Sequence, residues 1–402
     1  MKIAVVGSGI SGLGAAYLLS RRHDVHVFEQ DARPGGHTLT VRRDGLGLDL
    51  GFLVHNERNY PLLSRLFREL DVATQESEMS FSVSCPCGLE YSGRRPFAQP
   101  RRSVDPRHLA LLWEIGRWLR TANRSLDELD CEHWSLERYL DERRFSRRFR
   151  RHFLVPLTAA LWSTAPGRAL EYPAASAIRF FENHGMLGFR RFRWRSVSGG
   201  NDAYVRRIGD RLGERLELGT GVRSIRRGPD GVDLTTAGGD HRRFDATVVA
   251  THADQALRLL EDPSPVEQRV LGAFQYTRNE TILHTGVSHL PARPAARAAW
   301  NYRLGDDGQP TVTYYLNRLQ RLDTEQDWCV TLNGEVAEEH VVERTTFEHP
   351  LFTTEMLAAQ SELPALSGAR RTWYAGAHHG NGFHEDGLAS GVAAAESLGV
   401  RW

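Results

Sequence analysis

The chain has 402 residues, 41% of them hydrophobic, enough to bury a large core and too many for one small domain; two domains are expected. Its 51 basic and 50 acidic residues leave a net charge of +1, which gives no case for a nucleic-acid partner. No run approaches the ~18 uninterrupted apolar residues of a membrane span, so the expectation is a cytoplasmic protein, soluble or peripheral to a membrane.

The first 29 residues are the most informative. Lys2-Ile3-Ala4-Val5-Val6 reads as a strand, and Gly7-Ser8-Gly9-Ile10-Ser11-Gly12 as a glycine turn opening a helix. Val25-His26-Val27-Phe28 is a second strand that delivers Glu29 and Gln30. Gly7 permits the tight turn, Gly9 lets the backbone approach a pyrophosphate, and Gly12 lets the helix pack closely on the strand. The helix start at Ile10 and Ser11 offers free N–H groups to phosphates. Glu29 is placed to accept hydrogen bonds from an adenosine ribose. A glycine turn alone is weak evidence; in this strand–turn–helix–strand–acid setting it predicts an adenine dinucleotide. The polar Arg21-Arg22-His23-Asp24 that follows makes the segment a βαβ unit rather than a signal peptide.

Next comes Arg33-Pro34-Gly35-Gly36-His37-Thr38, a second glycine doublet. An FAD protein needs it, because its chain passes the pyrophosphate a second time, whereas a nicotinamide dehydrogenase does not. Read alone, it is equally an ordinary flexible loop. Thr38–Arg43 and Leu46–Leu50 flank Asp44-Gly45, a hairpin signal, and Pro61–Leu70 has helical spacing. From about Val72 to Arg195 the chain turns to aromatic, arginine-rich helices. Arg107–Arg120 places Leu109, Leu112, Trp113, Gly116 and Leu119 on one face, and Arg143–Phe153 sets six arginines around three phenylalanines. Such helices suit an anionic membrane surface, but a core-packed helix with a solvated basic face is the more ordinary reading.

Ser198-Gly199-Gly200-Asn201 opens a helix through Ile208, and Gly219–Ile225 reads as a strand. Val232–Thr235, a turn at Ala237–Asp240, and Ala246–Thr251 form a meander back to the first sheet. Residues 266–364 alternate apolar and polar, as in Trp300–Leu304 and Thr311–Tyr315, and read as strands of a second sheet. Gly219-Thr220-Gly221 lacks a third glycine at Ser224, so no second dinucleotide site for NAD(P)H is expected. The far end settles the cofactor. Trp373-Tyr374-Ala375-Gly376-Ala377 is an apolar strand, and after His378–Glu385 comes an alanine-rich helix. A helix starting near Asp386-Gly387-Leu388 would aim N–H groups at the pyrimidine edge of a flavin.

With these motifs in hand, the chain resembles the FAD-dependent amine-oxidase superfamily, which also holds phytoene desaturases and protoporphyrinogen oxidases. It looks most like a bacterial branch of NAD/FAD-binding oxidoreductases. The resemblance runs through Gly51–Arg58, Met79–Ser84, Pro156–Thr164, Asn183–Gly185, Tyr314–Gln320 and, most specifically, Gly382–Gly387. It implies an α/β fold, with a Rossmann-like FAD-binding domain of the GR2 type (residues 1–71, 196–265 and 365–402). A second, α+β substrate-binding domain takes residues 72–195 and 266–364. It places Gly51-Phe52-Leu53 beside the flavin ring and pairs the backbone of Val222 with adenine. Members of the branch are linked with enzymes that modify unsaturated phospholipid acyl chains, which implies dehydrogenation of an apolar, long-chain acyl lipid. Isomerisation of a double bond, amine oxidation and a flavin-bound accessory role are the alternatives.

Three departures from the superfamily pattern shape the expected chemistry. Lys2 is the sole lysine and begins the first strand, so the lysine that amine oxidases set against the flavin is absent. Ala377 stands where an acid usually meets the ribityl or phosphate, leaving His37, Thr38 or Asp386 to compensate. Leu388 or Ala389 stands where an amine cage needs an aromatic ring. Cys85, Cys87, Cys131 and Cys329 have no zinc-like spacing, and none lies in the C-terminal motif, so the FAD is expected to be non-covalent and no metal is expected. The titratable candidates near the flavin are His37, His55, His378, His379, His384, Glu385 and Asp386. His384 comes first for acid–base or positioning work and Glu385 second; helix capping is the bland reading of both. An alkyl tunnel is expected along Leu154–Trp162 and Phe180–Phe192.

Overall fold

The computed structural model describes residues 1–128, 134–162, 166–188, 192–305 and 310–402. Cys131, Ser163 and Thr164 lie outside the described residues. Ile3-Ala4-Val5-Val6 is apolar on both sides because its strand, Lys2–Val6, is covered on both faces. It is the centre of a five-stranded parallel sheet, in the order Thr372–Tyr374, Ala246–Val249, Lys2–Val6, Asp24–Phe28, Leu216–Glu217. Every one of these strands lies within residues 1–71, 196–265 or 365–402. The meander Val222–Gly228, Gly231–Thr236, His241–Phe244 forms a separate antiparallel sheet. The first of its strands starts later than the expected Gly219, since Thr220 N–H instead donates to Glu29 O.

The first helix, Ile10–Leu19, is buried along its whole length between the sheet and the last helix, His384–Ser397. The two helices touch through glycine, where a Cβ on Gly391 would stand 2.2 Å from Ser11 O, and the first helix crosses the preceding turn through Gly12, where a Cβ would stand 1.9 Å from Gly7 O. No side chain larger than hydrogen fits either crossing.

The second sheet has seven strands, in the order Val341–Pro350, Tyr276–His284, Cys329–Leu332, Pro310–Tyr315, Trp300–Leu304, Phe81–Ser84, Glu90–Ser92. All pairs are antiparallel except Trp300–Leu304 with Phe81–Ser84. The hairpin Thr40–Arg43/Leu46–Asp49 turns at Asp44 and Gly45, both at positive φ, the geometry of a type I′ turn. At its end the buried Asp49 accepts from Thr40 Oγ1 at 2.6 Å, Asn201 N–H at 2.8 Å and Gln320 Nε2 at 2.9 Å. One carboxyl thereby ties the first-sheet segments to the second; burial pushes it up to about 7.

Two expected features differ. The helix Pro106–Thr121 buries His108, Leu111, Glu114 and Trp118, and turns Leu109 and Trp113 outward. Apolar residues lie on two sides of this helix, so spacing alone does not choose the packed side. Glu114 fixes the choice by accepting from Ser146 N–H at 2.8 Å. The aromatic segments expected to line a tunnel instead stack on one another: Trp162 on Tyr172 at 4.3 Å, and Phe180 on His184 at 3.8 Å and on Phe383 at 5.0 Å. Among the described residues, no helix is long and apolar enough to cross a membrane.

Candidate functional site

A cavity of about 590 Å³ runs from the first glycine turn to the start of the last helix. At one end it is lined by Gly7, Gly9, Ile10, Ser11, Glu29, Gln30, Gly35, Gly36 and Val222. The first helix has no side-chain cap and no acid in its first turn, so its N-terminal N–H groups meet the cavity bare. A Cβ on Gly9 would meet nothing within 4 Å, and Gly36, at φ +56, brings the second doublet against Gly9 Cα. The result is an electropositive cradle open on the ligand side, which fits a pyrophosphate. Glu29 accepts from Ser8 N–H at 2.9 Å, Ser8 Oγ at 2.5 Å and Asp31 N–H at 3.0 Å. The acid is thus locked in place at the cavity wall before any ribose arrives.

The other end is built from side chains. His37, His252, His349, His378 and His384 line it together with Tyr276, Phe347, Phe383, Gly376 and Ala377. His37 lies 5.3 Å from His349, 6.2 Å from His252 and 4.9 Å from Phe347 between ring centres. His252 stacks on Tyr276 at 4.2 Å. Burial is the leading cause that holds all five imidazoles below their ordinary value, His349 at about 4 and His384 at about 3, and the neighbouring rings push His37, His349 and His378 further down. All are neutral at pH 7. Among them His378 Nε2 is buried without a hydrogen-bond partner, a polar atom that a polar cofactor would satisfy, whereas His252 Nδ1 lies 3.4 Å from Glu348.

Second-layer contacts orient two of the rings. Asn333 Nδ2 donates to Asn279 Oδ1 at 2.7 Å, which leaves the Asn279 amide to donate to His349 Nδ1 at 2.9 Å. His349 is therefore the Nε2–H tautomer, a donor on its free side. His384 Nε2 meets Thr38 Oγ1 at 2.9 Å and Tyr204 Oη at 3.2 Å, while its ring stacks on Phe52 at 4.0 Å.

The remaining sequence candidates support the wall from behind. Gly12 and Gly387 serve helix packing, and Leu388 is buried against Gly14 of the first helix, away from the cavity. Gly51, Phe52 and Leu53 do not line the cavity either: Phe52 N–H donates to His37 O, and Phe52 backs His384. Thr38 is engaged with Tyr204 at 2.6 Å. The last helix starts at His384, two residues ahead of the expected Asp386, because Asp386 accepts from Phe383 N–H at 2.9 Å and caps its own helix. Asp386 does not line the cavity. Glu385 is not brought to the cavity: its two oxygens accept from Leu62 and Leu63 N–H at 2.8 and 3.0 Å, capping the helix Pro61–Glu69. His55 is also behind the wall, paired through its backbone to Arg195.

Sequence reasoning passed over His252, Tyr276, Phe347 and His349. The last three sit in strands whose alternation is ordinary for a sheet, and only the register, Thr277 opposite His349 and Asn279 opposite Phe347, brings them together.

Comparison with known proteins is consistent with this geometry. Residues 10–296 match the family described as flavin containing amine oxidoreductase. A Mycobacterium tuberculosis protein named as a flavin-containing monoamine oxidase is 26% identical over 293 residues, 67% of this chain and 61% of the relative. The chain thus spans about 61% of that curated relative's length. Among solved structures, a CLA-producing fatty acid isomerase from P. acnes has a TM-score of 0.71 at 16% identity, covering 99% of this chain and 97% of that one. A double mutant of putrescine oxidase has a TM-score of 0.71 at 15% identity, covering 100% and 99%. At such identities the likeness is one of fold.

Proposed function

The chain belongs to the flavin-containing amine oxidoreductase family and takes FAD, and from that premise we propose that it dehydrogenates an apolar, long-chain acyl substrate. The observation that carries this reading is the far end of the cavity, where five neutral imidazoles stand among Tyr276, Phe347 and Phe383. FAD, when bound, supplies the hydride-accepting chemistry. The protein's own part is to exclude water and hold the substrate. A buried ammonium would need an unengaged carboxylate to pair with. The carboxylate at this end, Glu348, already lies 3.4 Å from His252 and 3.9 Å from Arg278. The Nε2–H of His349 suits an ester or carboxyl oxygen instead. His384, its Nε2 held by Thr38 and Tyr204, is a positioning residue that stays neutral throughout the physiological range.

An acyl substrate is drawn from a membrane, and the helix Pro106–Thr121 offers a face for it. Trp113 is 62% exposed, Leu109 and Val104 stand beside it in the chain, and Arg101, Arg107 and Arg120 are exposed around them. Apolar side chains ringed by guanidinium groups suit an anionic bilayer surface. Binding to vesicles rich in anionic lipid, weakened by Trp113→Ser and absent with neutral vesicles, is the expected outcome.

Double-bond isomerisation is the second reading, favoured by the fold shared along 99% of the chain with the fatty acid isomerase. Anaerobic mixing separates the two. Bleaching of the oxidised flavin by an unsaturated or methyl-branched acyl lipid supports dehydrogenation, with oxygen or a quinone as final acceptor. Product formed only with prereduced flavin supports isomerisation. Benzylamine or putrescine should leave the spectrum unchanged; bleaching by either at ordinary enzymatic rates would overturn the proposal.

A further inference from the structure

The edge of the seven-stranded sheet carries a cluster that the cavity does not use. The strands Phe81–Ser84 and Glu90–Ser92 are joined by Cys85-Pro86-Cys87-Gly88-Leu89. Gly88 N–H donates to Cys85 O at 2.9 Å and Cys85 N–H to Leu89 O at 2.9 Å, closing a turn with Pro86 second and Gly88, at φ +78, fourth. Inside that turn Cys87 N–H donates to Cys85 Sγ at 3.3 Å. The contact fixes the Cys85 sulfur inside the turn.

His152 reaches the same place from Arg150–Leu154, a single π-helical turn. Such turns displace one residue from the α register and recur at ligand sites. Tyr91, on the hairpin's second strand, donates to His152 O at 2.6 Å and fixes the turn against the hairpin. The His152 ring is buried, and its Nδ1 has no hydrogen-bond partner. Cys85 is buried and Cys87 exposed, and one ligand atom from each of the three residues lies within 4.8 Å of the others. Among the described residues, no other three His, Cys, Asp or Glu side chains meet in this way.

From this juxtaposition we propose that Cys85, Cys87 and His152 bind a zinc ion that clasps the sheet edge to the helical layer. Two thiolates and an imidazole are the donors a borderline-soft ion prefers. Bond lengths of about 2.3 Å to sulfur and about 2.0–2.1 Å to nitrogen place tetrahedral ligand atoms about 3.3–3.8 Å apart. Side-chain rotation of roughly an ångström closes the triad around the ion. The exposed side of Cys87 leaves the fourth position to water. Binding releases two thiol protons, and the ion with two thiolates is neutral overall. The chain spacing hides this site, since the third ligand stands 65 residues beyond Cys87.

The test uses reduced, FAD-containing protein stripped with a chelator and titrated with Co²⁺. One ion per chain, with a thiolate-to-cobalt charge-transfer band displaced by one equivalent of Zn²⁺, is the expected result. Cys87→Ser alters an exposed side chain, so the fold and the flavin content should persist while the band is lost and Zn²⁺ binding weakens at least tenfold. His152→Gln should weaken Zn²⁺ binding to a similar degree; where that variant fails to fold, Cys87→Ser decides alone. Absence of the band, a band unchanged in Cys87→Ser, or a Cys85–Cys87 disulfide in reductant-treated protein would overturn the proposal.

Discussion

At the glycine end of the cavity the ligand meets backbone N–H groups and one carboxylate, all supplied by consecutive residues around Gly7–Ser11 and Glu29. At the other end it meets histidine rings brought from separate segments of the chain: His37, His252, His349, and His378 with His384. The first end recognises charge chiefly with backbone N–H groups, which cannot titrate. The second is aromatic, and burial holds its imidazoles below their ordinary value. A backbone site is written locally and tolerates no side chain; a side-chain site is written in sheet register and depends on solvent staying out.

The largest effect should come from acid, which strikes only the second end. Between about pH 6.5 and 4 the unfolded chain binds protons that the folded imidazoles refuse, so stability falls as the pH drops through that window. Each buried histidine contributes at most about 1.4 kcal/mol per pH unit. Asp49 and Asp386, held up at about 7 and about 6, act in the opposite direction, but the five lining histidines outnumber them. Urea unfolding should show several kcal/mol lost between pH 6.5 and 5, with flavin released in step. A flat profile there would mean that the histidine end is wet.

Substitutions at the glycine end should be felt without any dependence on pH. Gly12→Val puts a branched side chain where even a Cβ would lie 1.9 Å from Gly7 O, and should cost about 3 kcal/mol or more and abolish FAD retention. Glu29→Ala removes the acceptor for Ser8 and Asp31 as well as for the ribose. Loss of a charge-assisted bond is worth about 1.5–3 kcal/mol, so FAD should bind roughly tenfold to a hundredfold more weakly by equilibrium titration. Wild-type affinity in Glu29→Ala would show that the acid serves the turn and not the cofactor.

The difference in construction explains what was legible in the sequence. The strand–turn–helix start, the Asp44-Gly45 hairpin and the FAD cradle were visible because each is set by residues within a few positions of one another. His349 and Phe347 were not, because their meeting with His37 depends on which residues of Tyr276–His284 face Val341–Pro350. Which face of the Pro106–Thr121 helix packs inward was not legible, because its apolar residues flank both sides and Glu114 decides between them through Ser146. Phe180 and Trp162 looked like tunnel walls and instead close against Phe383 and Tyr172, because aromatic rings satisfy one another as readily as they satisfy an alkyl chain.

Glu385 offers the smallest effect and the finest distinction. In sequence it sits among His384 and Asp386, a density of titratable groups that reads as chemistry. In the fold its carboxylate leaves the cavity and caps the helix Pro61–Glu69, whose own cap residue, Tyr60, offers no side-chain hydrogen bond. A cap supplied from another helix should be worth what an ordinary N-cap is, about 1 kcal/mol. Burial raises the carboxyl above its usual range, which lowers the worth of the charged cap. Glu385→Gln keeps one acceptor oxygen and loses the other. It should lower stability by about 1 kcal/mol or less while FAD content and the rate of flavin reduction by substrate stay at wild-type values. A reduction rate lowered tenfold with stability unchanged would return Glu385 to the reacting groups and show that the histidine end does not work alone.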